Sequence, residues 1–209
     1  MQRILLGMAL LACAKPSAQA PASAVNGTAD RQDATLRRDI LTHVEADQAV
    51  RLTLMRKQQQ GLTPDSLDIA RVIAIDETNT AWFRRVVAER GWPGKTLVGS
   101  NGADAAFLLI QHADRDTAFQ AAVLPLLEQA FAAGEVSGQH LALLTDRLAT
   151  ARGQPQVYGS QADIVAGHVV LKPIADSAGV DARRARVGLP PLAEYVRVLD
   201  SLYTPRRLP

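Results

Sequence analysis

The sequence predicts a mainly α fold: a compact single-domain helical bundle with a small β-hairpin or irregular segment near residues 156–172. Three observations carry this. Helix-favouring Ala, Leu, Gln and Arg are abundant, while aromatics make up only 4% of the 209 residues. Apolar residues recur at helical spacing between Gly and Pro stops along most of the chain. The pattern turns strand-like only after Pro155. With 47% hydrophobic and 21% charged residues the chain can bury a sizeable core, which argues against disordered, collagen-like and disulfide-stapled classes.

Residues 1–24 read as a secretory signal. Arg3 supplies the positive start, Ile4 to Ala14 an apolar run too short to anchor in a bilayer, and Ala22-Ser23-Ala24 a small-residue cleavage site. Ala18-Gln19-Ala20 is a weaker site because Pro21 follows it. Leu10-Leu11-Ala12-Cys13 offers an alternative lipoprotein reading, with Cys13 lipidated. Cys13 is the single Cys, so no disulfide is expected. Loss of the signal removes Arg3 and Lys15 and leaves 21 basic and 21 acidic residues. That balance gives no support to a nucleic-acid partner, and leaves a lipid on Cys13 as the one membrane link. Residues 25–34 read as a flexible lead-in. Its Asn26-Gly27-Thr28 sequon is read as chance. The expected location is exported, periplasmic or secreted.

The helical domain is expected over 35–204. A first helix over about 35–60 carries Ile40, Leu41, Val44, Leu52 and Met55, and Gly61 ends it. Thr63-Pro64-Asp65 reads as the cap and first turn of a second helix, which runs to Arg90 and stops at Gly91. Gly91-Trp92-Pro93 reads as a rigid corner with Trp92 as a core plug. Ser100 or Asn101 is the expected cap of a third helix, apolar almost all round and hence central. A fourth helix spans Thr117 to Ala133 and a fifth Gln139 to Ala151, ended by Gly134 and Gly153. Gln156–Gln161 and His168–Lys172 read as the two strands of a hairpin. Asp181–Val187 and Leu192–Leu202 are the last helices, with Arg183 and Arg184 on a solvated face.

Polar residues where a core is expected carry the functional information. In the second helix, Asp76 and Asn79 fall inside the stripe of Ile69, Val72, Ile73, Phe83, Val86 and Val87. A carboxylate there must be paired, solvated by a cleft or protonated. In the first helix, Arg51 shares the face of Ile40 and Val44, with Asp47 one turn earlier; a plain intrahelical ion pair explains that much. The third helix adds Gln111 and Asp114, with His112 on another side. The fifth adds Asp146 and Arg147. An internal hydrogen-bond network and a polar cleft both fit this pattern.

Several motifs occur in order: Asp47-Gln48-x-x-Arg51, Gly91-Trp92-Pro93, Val98-Gly99, Gln111-His112-Ala113-Asp114, Leu144-Thr145-Asp146-Arg147, Gln156-x-Tyr158-Gly159-x-Gln161, and Val180-Asp181-x-Arg183-Arg184 with Gly188-Leu189. Over about residues 40–200 the chain resembles a bacterial family catalogued as domain of unknown function 6624. Ser160 stands where that pattern has Thr, which keeps the hydroxyl. The resemblance implies no activity.

The remaining chemistry is acid–base. His43, His112, His140 and His168 are scattered without metal-ligand spacing, so neither a metal nor another cofactor is expected. Gly94-Lys95-Thr96 lacks the phosphate-loop Gly spacing, and there is no Gly-x-Ser-x-Gly. The expected site is a polar pocket built around Gln111-His112-x-Asp114 and Asp146-Arg147 that binds a small polar or anionic ligand. His112, Asp114 and Asp146 are its candidate catalytic groups. Gln111, Arg147, Gln156, Tyr158 and Gln161 are its candidate ligand-binding groups. A hydrolase or lyase using His112 as general acid or base is the alternative, and a purely structural or interaction domain is the third reading.

Overall fold

The computed structural model describes residues 32–165 and 168–203. The expected signal with Cys13 and most of the lead-in lie outside the described residues. Seven α-helices and one hairpin form the described part, so the fold is mainly α as expected. The helices are α1 (Ala34–Gln59), α2 (Ser66–Arg90), α3 (Lys95–Gln111), α4 (Thr117–Ala132), α5 (Gly138–Ala151), α6 (Val180–Arg186) and α7 (Leu192–Tyr203). β1 (Ala162–Val165) pairs antiparallel with β2 (His168–Leu171), Ala162 facing Leu171. None of the described helices is long and apolar enough to cross a membrane.

α1 packs on α3 and α2, and α4 on α5. The core gathers one or two large side chains from each of the first five helices: Ile40, Phe83, Phe107 with Ile110, Leu127 and Leu144, all essentially without exposure. Each such burial contributes roughly 1.5–3 kcal/mol. Phe83 sits edge-on to Trp92 and to Phe119, so Trp92 does plug the corner after α2. Ala103, Ala105, Ala106 and Ala113 line the buried faces of α3 and the turn after it, where small side chains let neighbouring helices approach closely.

The ends of the helices differ from expectation where a distant group supplies the cap. Asp33 caps α1 by accepting from Leu36 N, and also takes Arg90 from the end of α2. Asp65, not Thr63, caps α2. It forms a capping box with Asp68, whose carboxylate returns to the Asp65 N–H, and Lys57 of α1 binds both. A short first turn of α3 precedes the expected start at Ser100 or Asn101: it begins at Lys95, where Glu135 from beyond α4 accepts from Thr96 N and Oγ1. The helix is then broken at Gly99, whose φ of 73° is open to glycine and costly for other residues, so its long apolar part starts at Ser100 as expected.

The largest departure is the first strand of the hairpin. Residues 156–161 form a loop, and β1 starts only at Ala162. The backbone N–H groups of Val157, Tyr158 and Ser160 point at one carboxylate, that of Asp146, and so cannot serve a ladder. Gly159, at φ 72°, turns the chain between them. The expectation of a solvated Arg183-Arg184 face is also corrected. Arg184 is 1% exposed: it donates to the carbonyls of Pro190 and Tyr158 and lies over the Tyr195 ring. Arg183 binds the carbonyls of Val157, Ala175 and Asp176. Arg183 also donates to the Asp176 carboxylate, so both arginines are held by loop groups that their guanidinium forks satisfy.

Candidate functional site

Seven of the eight residues expected to share one pocket are distributed over two polar networks and an ion pair, and the side chain of the eighth, Gln111, joins none of them. The first network centres on Asp47, which the apolar stripe of α1 carries inward to 1% exposure. Its two oxygens lie 3.0 and 2.9 Å from Nδ1 of His112, the residue that ends α3. Arg51 Nε donates to Oδ1 at 2.9 Å and Gln48 Nε2 to Oδ2 at 2.7 Å. Arg51 then reaches across to α2, where Nη2 donates to Asp76 Oδ1 at 2.5 Å. The carboxylate that orients His112 is therefore Asp47, from another helix, and not Asp114 or Asp146.

Burial alone would raise the Asp47 carboxyl. The His112 hydrogen bond and charge, joined by Arg51 and Gln48, outweigh it and hold the group below its ordinary value. Asp47 is thus an anion, and the His112 proton in that contact resides on Nδ1. Asp76 behaves in the opposite way. Burial raises it to about 6, and Arg51 and His112 offset that only in part because Asp47 repels the second negative charge. His112 is 8% exposed, and its Nε2 has no partner among the described residues.

The second network centres on Asp146, at 0% exposure. Oδ1 accepts from Val157 N at 2.7 Å and Tyr158 N at 3.0 Å, and Oδ2 from Ser160 N at 2.8 Å. Gln156 completes it. Its Nε2 donates to the carbonyls of Gln161 and Lys172, and its Oε1 accepts from Gln161 N. Gln161 Nε2 donates to the Ser160 hydroxyl, which is the oxygen a Thr would also supply. Tyr158 is half-buried, and burial followed by the Asp146 and Glu128 charges raises its phenol.

Between the two networks lies the ion pair of Arg147 with Asp114, 2.5 Å apart and open to solvent on the Asp114 side. Arg147 Nε and both polar atoms of the buried Gln111 side chain have no partner among the described residues. A cleft of about 450 Å³ opens at the other end of α3, between Gly91, Trp92, Leu97, Ala130 and Glu135, and none of the eight residues lines it. Among the described residues no three His, Cys, Asp or Glu side chains are grouped to hold a metal ion. Sequence reasoning singled out Asp47, Arg51 and Asp76 as misplaced polar residues without joining them to His112. The signal was their shared position on the inward stripes of neighbouring helices.

Residues 34–206 match a family of unknown function (DUF6624). No curated protein and no solved structure matches the chain.

Proposed function

The chain belongs to that family of unknown function, a membership that names no reaction, and from this premise we propose that it is an exported protein with an acid–base site at His112, acting as a hydrolase or lyase on a small polar substrate. The observation that carries the reading is the Asp47–His112 contact. A buried carboxylate that accepts from Nδ1–H fixes the tautomer and plane of the ring, and leaves the lone pair of Nε2 as its reactive atom. Asp47 then stabilises the imidazolium that forms when His112 takes a proton from substrate or water. Asp76, held at about 6, gives the same site a carboxyl that exchanges its proton near neutrality. Gln111 and Arg147, with unpaired polar atoms beside the His112 turn, are the groups offered for a polar or anionic part of the ligand. Export rests on the charged, apolar and small-residue order of residues 1–24.

A screen of small polar and anionic compounds by thermal unfolding tests the site. A compound that raises the Tm of the wild-type chain is expected, and His112→Gln should abolish that rise without unfolding the protein. Equal stabilisation of His112→Gln would take His112 out of the site. N-terminal sequencing of the native protein should begin near Val25, or meet a blocked, lipidated Cys13; an intact Met1 on the exported form contradicts export. One observation favours the purely structural reading: His112 exposes only 8% of its surface. The two readings separate on what its replacement costs in stability.

A further inference from the structure

A second histidine lies one turn before Asp47 on the same face of α1. His43 and Asp47 are four residues apart, so their Cβ atoms are about 5–6 Å apart on a helix. Nδ1 of His43 lies 2.8 Å from Oδ1 of Asn79 on α2. Asn79 Nδ2 in turn donates to the backbone carbonyl of His43 at 3.3 Å. That second bond fixes which end of the amide faces the ring: Oδ1 accepts, so the His43 proton resides on Nδ1. Trp82 stacks on the ring at 4.0 Å between centroids and holds its plane. The arrangement repeats that of His112: Nδ1–H on a buried acceptor, and Nε2 without a partner among the described residues. His43 faces Asn79 and Arg51 faces Asp76 along the seam of α1 and α2, and His112 reaches Asp47, one turn from His43, from the end of α3.

We infer that His43 is a second proton-transfer group of the His112 site, and that the site takes a substrate whose leaving group needs a proton, such as an ester of an alcohol, an amide or a glycoside. The inference rests on the acid–base reading of His112. The two acceptors assign the roles. The Asp47 carboxylate stabilises a ring that has gained a proton, whereas the neutral Asn79 amide does not, so His112 takes the proton and His43 gives one. In a hydrolysis, His112 Nε2 removes a proton from water as the water oxygen bonds to the electrophilic carbon. The bond to the leaving oxygen or nitrogen breaks with its electron pair on that atom, which takes the proton from protonated His43. The water is then divided between the two products. Loss of the His112 proton to solvent and uptake of one by His43 reset the site.

Two-bond proton–nitrogen NMR of the full chain at pH 8 tests this without a substrate. Both neutral rings should carry the proton on Nδ1. Replacing His112 by Gln should shift the ring resonances of His43 and leave its proton on Nδ1, as expected of two rings that face one site. A His43 proton on Nε2, or His43 ring resonances unmoved by His112→Gln, overturns the inference. A His112 proton on Nε2, beside a His43 proton on Nδ1, overturns the acid–base reading of His112 itself and takes this inference with it.

Discussion

Asp47 and Asp146 are equally sealed from water, at 1% and 0% exposure, yet their partners differ in kind. Asp146 takes three backbone amides from one loop, groups that neither titrate nor rotate away. Asp47 takes an imidazole, a guanidinium and a side-chain amide from α3 and α1, and the imidazole keeps one nitrogen unengaged by described residues. Burial of a carboxylate thus does not distinguish structure from chemistry. Closure of the network does: the Asp146 network is complete within itself, and the Asp47 network ends on a group that can still act.

The comparison breaks first at Asp146. Asp146→Ala leaves the N–H groups of Val157, Tyr158 and Ser160 without an acceptor, at about 1–3 kcal/mol for each group that stays buried. Urea unfolding should show a loss of about 3–5 kcal/mol. Hydrogen exchange should show those three amides losing protection together. A loss below about 1 kcal/mol would mean that the loop finds other partners and that the network is not a clamp.

Asp76 sharpens the other side. Its carboxyl is raised from 3.8 to about 6, so the folded state favours the protonated form. That stabilisation is complete below pH 3.8 and is lost as pH rises through 6. Relative to wild type, Asp76→Asn should therefore gain stability between pH 4 and pH 7, by about 1–2 kcal/mol after allowance for solvent screening. Unfolding curves at those two pH values measure it. A gain in the opposite direction would show Arg51 holding Asp76 ionised throughout. The smallest effect belongs to Asp114→Ala. It breaks a half-exposed ion pair with Arg147 and should cost under about 1 kcal/mol in the same urea assay. A larger cost would make that pair a third structural clamp.

The helices were legible because their signals are local. Ile40 and Val44 mark the inward face of α1, and Gly61, Gly91, Gly134 and Gly153 stand just beyond helix ends. The short turn of α3 before Gly99 was not legible, because its cap comes from Glu135, 39 residues on. The loop at 156–161 has strand-like composition, and only the approach of Asp146 takes its amides out of a ladder. The site follows the same rule. His112 and Asp47 were each visible as polar residues in apolar surroundings, but their meeting depends on how α1 lies against α3, 65 residues apart in sequence. Arg184 was misjudged because nothing local shows that the carbonyls of Tyr158 and Pro190 would surround it.

The most direct test of the account is the unfolding free energy of His112→Gln set beside that of Asp146→Ala. Gln keeps a donor for Asp47, and Arg51 and Gln48 still neutralise and solvate that carboxylate. The account predicts a loss of at most about 1 kcal/mol for His112→Gln against several for Asp146→Ala. A loss of several kcal/mol for His112→Gln, equal to or above that of Asp146→Ala, would make the Asp47 network as structural as the other and contradict a proton-transfer role for His112.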